Sequence, residues 1–190
     1  MHVYRAVGKR VLDIAAAATT LLLLSPLLAV IAIAIYRDDK GRVIFRQRRI
    51  GRDGQPFWLL KFRSMPEQTG DIPSHAAGAI RPTRVGTWIR RTNLDELPQL
   101  VNILRGEMSL VGPRPGLPSQ EELLRLRQEN GALTCLPGLT GLAQVNAYTG
   151  MPVPEKAQWD AAYARRITFA GDVGIVLRTV GYLCSPPPVY

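Results

Sequence analysis

LDELPQLVNILRGEMSLVGPRP, residues 94–115, begins with two adjacent carboxylates and ends with an arginine between two prolines. The apolar spacing after Pro98 predicts a helix, with Pro98 in its first turn and Asn93 or Asp95 as its cap. Asp95 and Glu96 then lie where free backbone N–H groups and the helix dipole favour negative charge. A carboxylate held ionised there is able to attack phosphorus or to hold a divalent cation. The simpler interpretation, that both acids only cap the helix, stays open at this stage.

The end of this stretch predicts a rigid turn at residues 109–115, after Gly106 ends the helix. Pro113 and Pro115 fix the backbone on both sides of Arg114. A guanidinium restricted in this way is suited to bidentate contact with a phosphate.

Length and charge restrict the class of protein. The 190 residues fit one ordinary domain, or one small domain with a membrane element. Twenty-four Lys and Arg against fifteen Asp and Glu give a net charge of +9, which predicts an anionic partner: nucleic acid, anionic lipid or a phosphorylated substrate. Cys135 and Cys184 lie far apart without metal-ligand spacing, so we expect reduced packing residues in a cytosol-facing protein.

An uncharged apolar segment covers residues 15–35. At about 1.5 Å per residue, a straight helix of this length just reaches across a hydrocarbon core of about 30 Å. Pro26 near its middle cannot donate to the carbonyl of Leu22 and is expected to bend the helix. The Ser25 hydroxyl is placed to satisfy a carbonyl freed in this way.

Both flanks of this segment are basic, with three Lys and Arg in residues 5–10 and six in residues 37–49. By the positive-inside tendency both ends prefer the cytoplasm. We therefore predict a re-entrant membrane helix, broken at Ser25-Pro26, that enters and leaves through one leaflet. A single spanning helix remains the alternative. A cleaved signal peptide is disfavoured by the uninterrupted length of the segment and the basic sequence after it.

A short β-hairpin is predicted within residues 43–62, where two runs rich in aromatic and β-branched residues flank a turn at 51–54. In the second run, strand alternation places Lys61 and Arg63 on one face. Two cations on one strand face form a candidate phosphate clamp. The residues predicted for the opposite, packed face are Trp58, Leu60 and Phe62.

The rest of the chain is predicted to be mainly helical, with helices at residues 83–91, 119–130, 154–167 and 172–183. Ser119 and Glu122 form the pattern of a capping box at the start of the second. The last two are amphipathic and fit either the core or the lipid headgroup layer. PGLTGLAQV, residues 137–145, is a tight Gly-rich passage in which Gln144 suits approach to a nucleotide. Residues 185–190 are expected to form a stiff Pro-rich tail.

Four segments in order along the chain resemble the bacterial sugar transferase family, the monotopic phosphoglycosyl transferases. They are KFRSM (61–65), TRVGTWIRR (83–91), the 94–115 stretch and PGLTGLAQV (137–145). The resemblance extends over residues 9–183. The chain departs from many relatives just after residue 145, where Asn146-Ala147-Tyr148 stands in place of a Gly-Arg pair.

This resemblance implies transfer of sugar 1-phosphate from a UDP-sugar to undecaprenyl phosphate, with release of UMP and with Mg²⁺ as cofactor. It implies that Asp95 is the nucleophile, forming an aspartyl phosphosugar, and that Glu96 is its neighbour in a catalytic dyad; both are the predicted metal ligands. A covalent intermediate keeps the two anionic substrates from meeting in one step. The predicted substrate-binding residues are Lys61, Arg63, Arg90, Arg114, Gln144 and Asp160.

The sequence thus predicts an α+β, mainly helical protein: a re-entrant helix at 1–38, a cytosolic-face catalytic domain at 39–184 containing the hairpin and interfacial helices around a compact core, and a tail at 185–190. It is expected on the cytoplasmic face of the bacterial inner membrane, in the first membrane step of surface glycan assembly, with membrane lipids and no nucleic acid as partners. The alternatives are a membrane-anchored metal-dependent phosphohydrolase and a basic lipid- or nucleic-acid-binding adaptor. The sugar, the pathway, the role of Glu96 and the oligomeric state are not readable from the sequence.

Overall fold

The computed structural model describes residues 4–67, 81–147 and 150–183. Within these ranges the chain is a mainly helical α+β protein with a long N-terminal apolar helix and two small sheets, which confirms the predicted class. The helices are α1 (Lys9–Asp38), α2 (Arg84–Arg91), α3 (Gln99–Arg105), α4 (Glu121–Glu129), α5 (Leu142–Val145), α6 (Val153–Arg165) and α7 (Phe169–Leu183). The strands are β1 (Ile44–Ile50), β2 (Pro56–Phe62), β3 (Ser109–Val111) and β4 (Gly138–Thr140).

The predicted hairpin is confirmed: β1 and β2 pair antiparallel from Ile44 opposite Phe62 to Ile50 opposite Pro56. The predicted packed face is only partly correct, because the side chain of Trp58 is 55% exposed. The sheet is instead covered on both sides. Phe57 and Leu59 pack against α1 and α3, while Phe62 packs against the C-terminal half of α1 and α2.

The segment predicted as a turn at 109–115 begins with a strand. β3 pairs parallel with β4, with Ser109 opposite Gly138 and Val111 opposite Thr140. A Cβ atom at Gly138 would lie 2.1 Å from the backbone nitrogen of Gly112, so the two segments approach closely only because glycine occupies this position. This small sheet fixes the chain immediately before the proline-bracketed arginine.

The predicted break at Ser25-Pro26 is not seen, because α1 continues through both residues as one helix. Ser25 Oγ donates to the carbonyl of Leu22 at 2.8 Å, which confirms the predicted satisfaction of the group that Pro26 leaves without a donor. Among the described residues α1 is the one helix long and apolar enough to cross a membrane. Its outer face is bare: Leu22 is 75% and Leu23 is 72% exposed.

The inner face of α1 packs on the rest of the protein over most of its length. Ala17 joins a buried cluster that includes Leu100, Ile103 and Met108, and Ile31 and Ile35 join a second cluster with α2 and β2. Both ends are also held by polar contacts. These contacts are Lys9 with Asp172 (2.7 Å), Arg10 with the Ile103 carbonyl (2.6 Å) and Asp38 with the Val85 N–H (2.9 Å). One folded unit therefore contacts both ends of α1.

The C-terminal helices were predicted in the right order with small errors at their starts. α4 begins at Glu121, and the capping-box prediction of Ser119 and Glu122 is wrong because Gln120 is the N-cap residue and makes no side-chain cap. Gln120 Oε1 instead accepts from the Leu117 N–H at 2.9 Å. Cys135 is buried, as predicted. The predictions for Cys184 and the tail at 185–190 lie outside the described residues.

Candidate active site

The two acids lie on a 3₁₀ turn, Leu94–Glu96, rather than in the first turn of an α-helix. Asn93 enters the turn with a φ of 54°, and Pro98 is the N-cap residue of α3. Neither Asn93 nor Asp95 caps α3, so that part of the sequence prediction is wrong. The tight turn leaves both carboxylates free for contacts with other parts of the protein.

Of the two acids in the dyad, Asp95 and Glu96, it is Glu96 that forms ion pairs with basic side chains. Its Oε1 accepts from Lys61 Nζ and from Arg114 Nη2, each at 2.7 Å. Burial by itself raises the pKa of Glu96, but the charges and hydrogen bonds of Arg114 and Lys61 outweigh it and hold the pKa well below its ordinary value. Glu96 is therefore ionised across the physiological pH range, and it fixes the positions of two cations.

Asp95 has the opposite environment. Among the residues that the structure describes, its carboxylate accepts no hydrogen bond. Burial is the main cause that raises its pKa, and the negative charge of Glu96 adds to it, against the opposing charges of Lys61, Arg90 and Arg114. Asp95 is thus the more basic and less engaged carboxylate of the pair, as a nucleophile requires.

Lys61 reaches the dyad because β2 is held rigidly on α3. It lies on the same strand face as Phe57 and Leu59, at the polar end of that row. Asn102 of α3, fully buried, donates from Nδ2 to the Trp58 carbonyl at 2.8 Å and accepts from the Leu60 N–H at 3.0 Å. Asn102 was not predicted from the sequence, because an asparagine within an apolar helical stripe gives no signal of its partner.

Arg114 is positioned through its backbone. Its carbonyl accepts from Arg127 Nη1 at 2.9 Å, and the next carbonyl, of Pro115, accepts from Arg49 Nη1 at 3.1 Å. Arg127 is in turn held by Asp160 Oδ2, which accepts from its Nε at 2.9 Å and its Nη2 at 2.6 Å. Two guanidiniums therefore fix the turn that aims Arg114 at Glu96. Arg127 is a second residue that was not predicted from the sequence.

The structure brings three of the six predicted substrate-binding residues, Lys61, Arg90 and Arg114, to the dyad region and places the other three elsewhere. Arg90 lies close enough to Asp95 to influence its pKa, and its Nη1 contacts Met65 Sδ at 3.4 Å. Arg63 instead contacts Asp39 and Glu67 beside the end of α1. Strand alternation failed for Arg63 because β2 ends at Phe62, one residue earlier.

Two further predicted substrate contacts are directed into the protein. Asp160 is 1% exposed and is paired with Arg127, so it acts behind Arg114 rather than on a ligand. Gln144 donates from Nε2 to the Leu139 carbonyl at 3.0 Å, across the Gly-rich passage.

The oxygen atoms of the dyad suit a hard divalent cation. Both cationic partners of Glu96 bind Oε1, and among the described residues its Oε2 has no hydrogen-bond partner. The carboxylate of Asp95 is available beside it. Magnesium is commonly held by one or two carboxylates together with substrate phosphates and water. Within the described ranges no group of three or more Asp, Glu, His or Cys is arranged to hold a metal ion.

Known proteins resemble this chain over nearly its whole length. The model of the family described as "Bacterial sugar transferase" matches residues 4–185. The chain is 40% identical to a UDP-glucose:undecaprenyl-phosphate glucose-1-phosphate transferase of Caulobacter vibrioides, over 96% of this chain and 72% of that protein. It is 41% identical to a protein of the same name from Escherichia coli, over 90% of this chain and 39% of that one. It is 36% identical to the exopolysaccharide production protein ExoY of Rhizobium meliloti, over 93% and 85%.

Proposed function

Because the chain belongs to the bacterial sugar transferase family, we propose that it transfers sugar 1-phosphate from a UDP-sugar to undecaprenyl phosphate, giving an undecaprenyl-diphosphate sugar and UMP. The observation that carries this proposal is the difference between the surroundings of Asp95 and Glu96. Glu96 is held by two cations, whereas Asp95 is a raised-pKa carboxylate without a hydrogen bond among the described residues. Such a pair provides one nucleophile inside a cationic frame, which suits attack on a diphosphate.

In the first step an oxygen of Asp95 attacks the β-phosphorus of the UDP-sugar. The bond between that phosphorus and the oxygen bridging to the α-phosphate breaks, and UMP leaves with the bond electrons. Lys61, Arg90 and Arg114 stabilise negative charge on the transferring phosphoryl group. Glu96 keeps Lys61 and Arg114 in place. The product is a sugar phosphate esterified to Asp95.

In the second step an oxygen of undecaprenyl phosphate attacks the same phosphorus, the ester bond to Asp95 breaks, and the carboxylate is regenerated. The acceptor enters only after UMP has left, so the two anionic substrates never share the site. Asp95 and Glu96 Oε2 would hold a magnesium ion, which supplies neutralisation of diphosphate charge.

We also propose that α1 is a re-entrant element and that the protein lies on the cytoplasmic face of the bacterial inner membrane. The contacts at both ends of α1 support this arrangement, because a helix that crossed the bilayer would carry its two ends to opposite faces. The bare apolar side chains around Leu22 and Leu23 supply the surface that enters the lipid. The basic residues after Asp38 fit the same headgroup layer.

Topology is tested with single cysteines R5C and K40C, at the two ends of α1, in a variant with Cys135 and Cys184 replaced by serine. A membrane-impermeant maleimide is expected to label neither in intact spheroplasts and both in inverted membrane vesicles. Labelling of one position in spheroplasts would contradict the re-entrant arrangement while leaving the chemistry intact.

The chemistry is tested by incubating the detergent-purified protein with undecaprenyl phosphate and a panel of UDP-sugars, with UMP and the lipid product measured separately. UDP-glucose is the first donor to test, because two of the similar proteins are named for it. Lipid-linked diphosphate sugar together with UMP is the expected result. Free sugar phosphate without lipid product would indicate a phosphohydrolase, and no turnover with any donor would favour the adaptor alternative.

A further inference from the structure

β3 leads the chain into the proline-bracketed arginine, Arg114, and within the described part of the chain it pairs with β4 alone. Two of its backbone groups bond to side chains from outside the sheet. The Leu110 N–H donates to Asp13 Oδ1 at 3.1 Å, and the Val111 carbonyl accepts from the Tyr163 hydroxyl at 2.8 Å. Asp13 belongs to α1 and Tyr163 to α6, so two helices distant in sequence hold the strand that leads to Arg114.

The contact made by Asp13 is not explained by stability alone. Asp13 is 3% exposed, and among the described residues its Oδ2 is buried without a hydrogen-bond partner. A buried carboxylate oxygen without a partner is unfavourable for folding. The favourable contact of this side chain is therefore the one from Oδ1 to the strand, four residues before Arg114.

Tyr163 holds the next residue of the strand and is itself held. Its hydroxyl oxygen lies 2.8 Å from the Val111 carbonyl oxygen and 3.0 Å from Asp172 Oδ1, so two acceptors share its one proton. Asp172 in turn accepts from Lys9 Nζ at 2.7 Å, and Lys9 lies one helical turn before Asp13 in α1. The start of α1 therefore reaches β3 twice, directly through Asp13 and indirectly through Asp172 and Tyr163.

The position of β3 is transmitted to Arg114 because the chain between them has little freedom. The Gly112 N–H donates to the Thr140 carbonyl at 2.8 Å, and the Pro113 carbonyl accepts from the Gly138 N–H at 2.9 Å. The ring of Pro113 also fixes its own φ. Both residues between β3 and Arg114 are thus held, and the guanidinium follows the position of the strand.

We propose that Asp13 and Tyr163 are positioning residues for Arg114, and that they act through the two backbone groups of β3 that they hold. This inference rests on the proposed function, in which Arg114 stabilises charge on the transferring phosphoryl group. Displacement of such a group by about 1 Å lowers the rate by up to about a hundredfold. Because Asp13 belongs to α1, it connects the long apolar helix to the chemistry of the site.

The test measures release of UMP in a single turnover with UDP-sugar alone. Loss of folded protein lowers the amplitude of this release and leaves its rate constant unchanged, whereas a displaced Arg114 lowers the rate constant and leaves the amplitude unchanged. D13A and Y163F are expected to lower the rate constant roughly tenfold or more. D13N keeps a side-chain oxygen as acceptor for the Leu110 N–H, so its rate constant should lie within about threefold of wild type.

Y4F is the matched control for Y163F. The Tyr4 hydroxyl also donates to Asp172, at 2.6 Å from its Oδ2, but among the described residues it makes no bond to β3. Both variants remove a hydroxyl from the same carboxylate, so Y4F should keep the rate constant of wild type. A loss in Y4F equal to that in Y163F would assign the effect to the surroundings of Asp172 and overturn the inference.

Dependence on Arg114 is tested in the R114K background, which keeps the charge and loses the forked guanidinium. If Asp13 acts through Arg114, the rate constant of D13A/R114K should lie within about twofold of that of R114K. Losses that multiply overturn the inference, and so does a D13A rate constant equal to that of wild type or a D13N variant as slow as D13A. Absence of UMP release by wild type with every donor contradicts the proposed function instead, so the two failures are distinguishable.

Hydrogen exchange provides a readout that does not depend on turnover. The Leu110 amide is expected to exchange slowly in wild type and in D13N, and faster in D13A, because only D13A removes its acceptor. A Leu110 amide as well protected in D13A as in wild type would show that Asp13 does not hold the strand, and would overturn the inference.

Discussion

The carboxylate of Asp160 lies 2.6 Å from the guanidinium of Arg127, and the two residues are only 1% and 2% exposed. Arg127 uses its remaining Nη1 to hold the Arg114 carbonyl. The most buried ion pair of the site region therefore does not face the dyad. It determines where the chain that carries Arg114 lies.

Removal of one partner of this pair is expected to destabilise the protein strongly. D160A leaves the Arg127 charge buried without its counterion, which typically costs about 3–5 kcal/mol. The measurement is thermal or denaturant unfolding in detergent. A D160A variant as stable as wild type would contradict the assignment of the pair.

The double variant R127M/D160L distinguishes the support that the ion pair gives to Arg114 from its effect on the stability of the protein. It removes both charges and is expected to recover most of the stability lost in D160A. Its turnover should stay low, because the Arg114 carbonyl no longer has its donor. Recovery of activity along with stability would show that the pair does not act through Arg114.

D95N is expected to abolish the phosphosugar adduct and turnover while the protein stays folded. A carboxyl group whose pKa is raised by folding destabilises the folded state when it is ionised, that is, above that pKa. The neutral amide removes this penalty, so the Tm at neutral pH should equal or exceed that of wild type. The difference should shrink as pH falls and Asp95 itself becomes protonated.

The readouts for D95N are intact-protein mass after incubation with donor alone, and thermal unfolding. D53N is the matched control, since Asp53 is an exposed turn residue far from the dyad in sequence. It should form the adduct like wild type. Lipid product made by D95N would refute Asp95 as the nucleophile.

The acid limb of the pH profile is expected to move in opposite directions in two variants. Lys61 lowers and Glu96 raises the pKa of Asp95. K61M removes a positive charge that lowers this pKa, so the acid limb should shift to higher pH. E96Q removes the negative charge that raises it and leaves Lys61 and Arg114 without their shared counterion, so the acid limb should shift to lower pH. The measurement is UMP release with donor alone across pH. Shifts of the same sign would contradict the charge arrangement.

Packing of α1 on the catalytic part of the protein is tested at neighbouring alanines. Ala17 is fully buried against α3, whereas Ala18 is exposed. A17L overfills this contact and should cost about 1–3 kcal/mol of stability. A18L adds the same side chain on the bare face and should leave the Tm near that of wild type. Equal effects in detergent would mean that α1 does not pack on α3 through Ala17.

The order and type of most elements followed from local patterns. Three features have local signals, because residues close in sequence determine their structure. They are the apolar run, the two β-rich runs around Gly51 to Gly54 and the glycine at 106. Ser25 and Pro26 are the clearest case, because the carbonyl that loses its donor and the hydroxyl that satisfies it lie three residues apart. The exact turn at Asp95 was missed, since a 3₁₀ turn and a helical first turn differ little in sequence.

The two candidate acids were predicted from the sequence alone, because LDE with its flanking motifs carries the family resemblance. Their different surroundings were decided by tertiary structure. Lys61 lies 35 residues before Glu96, and Arg114 lies 18 residues after it, and only folding brings both to one oxygen atom. Asp160 likewise changed from a candidate ligand contact to a buried support, because its partner Arg127 is 33 residues away. The type and formal charge of each residue are known from the sequence. Its pKa and its partners depend on which groups, distant in sequence, are buried beside it.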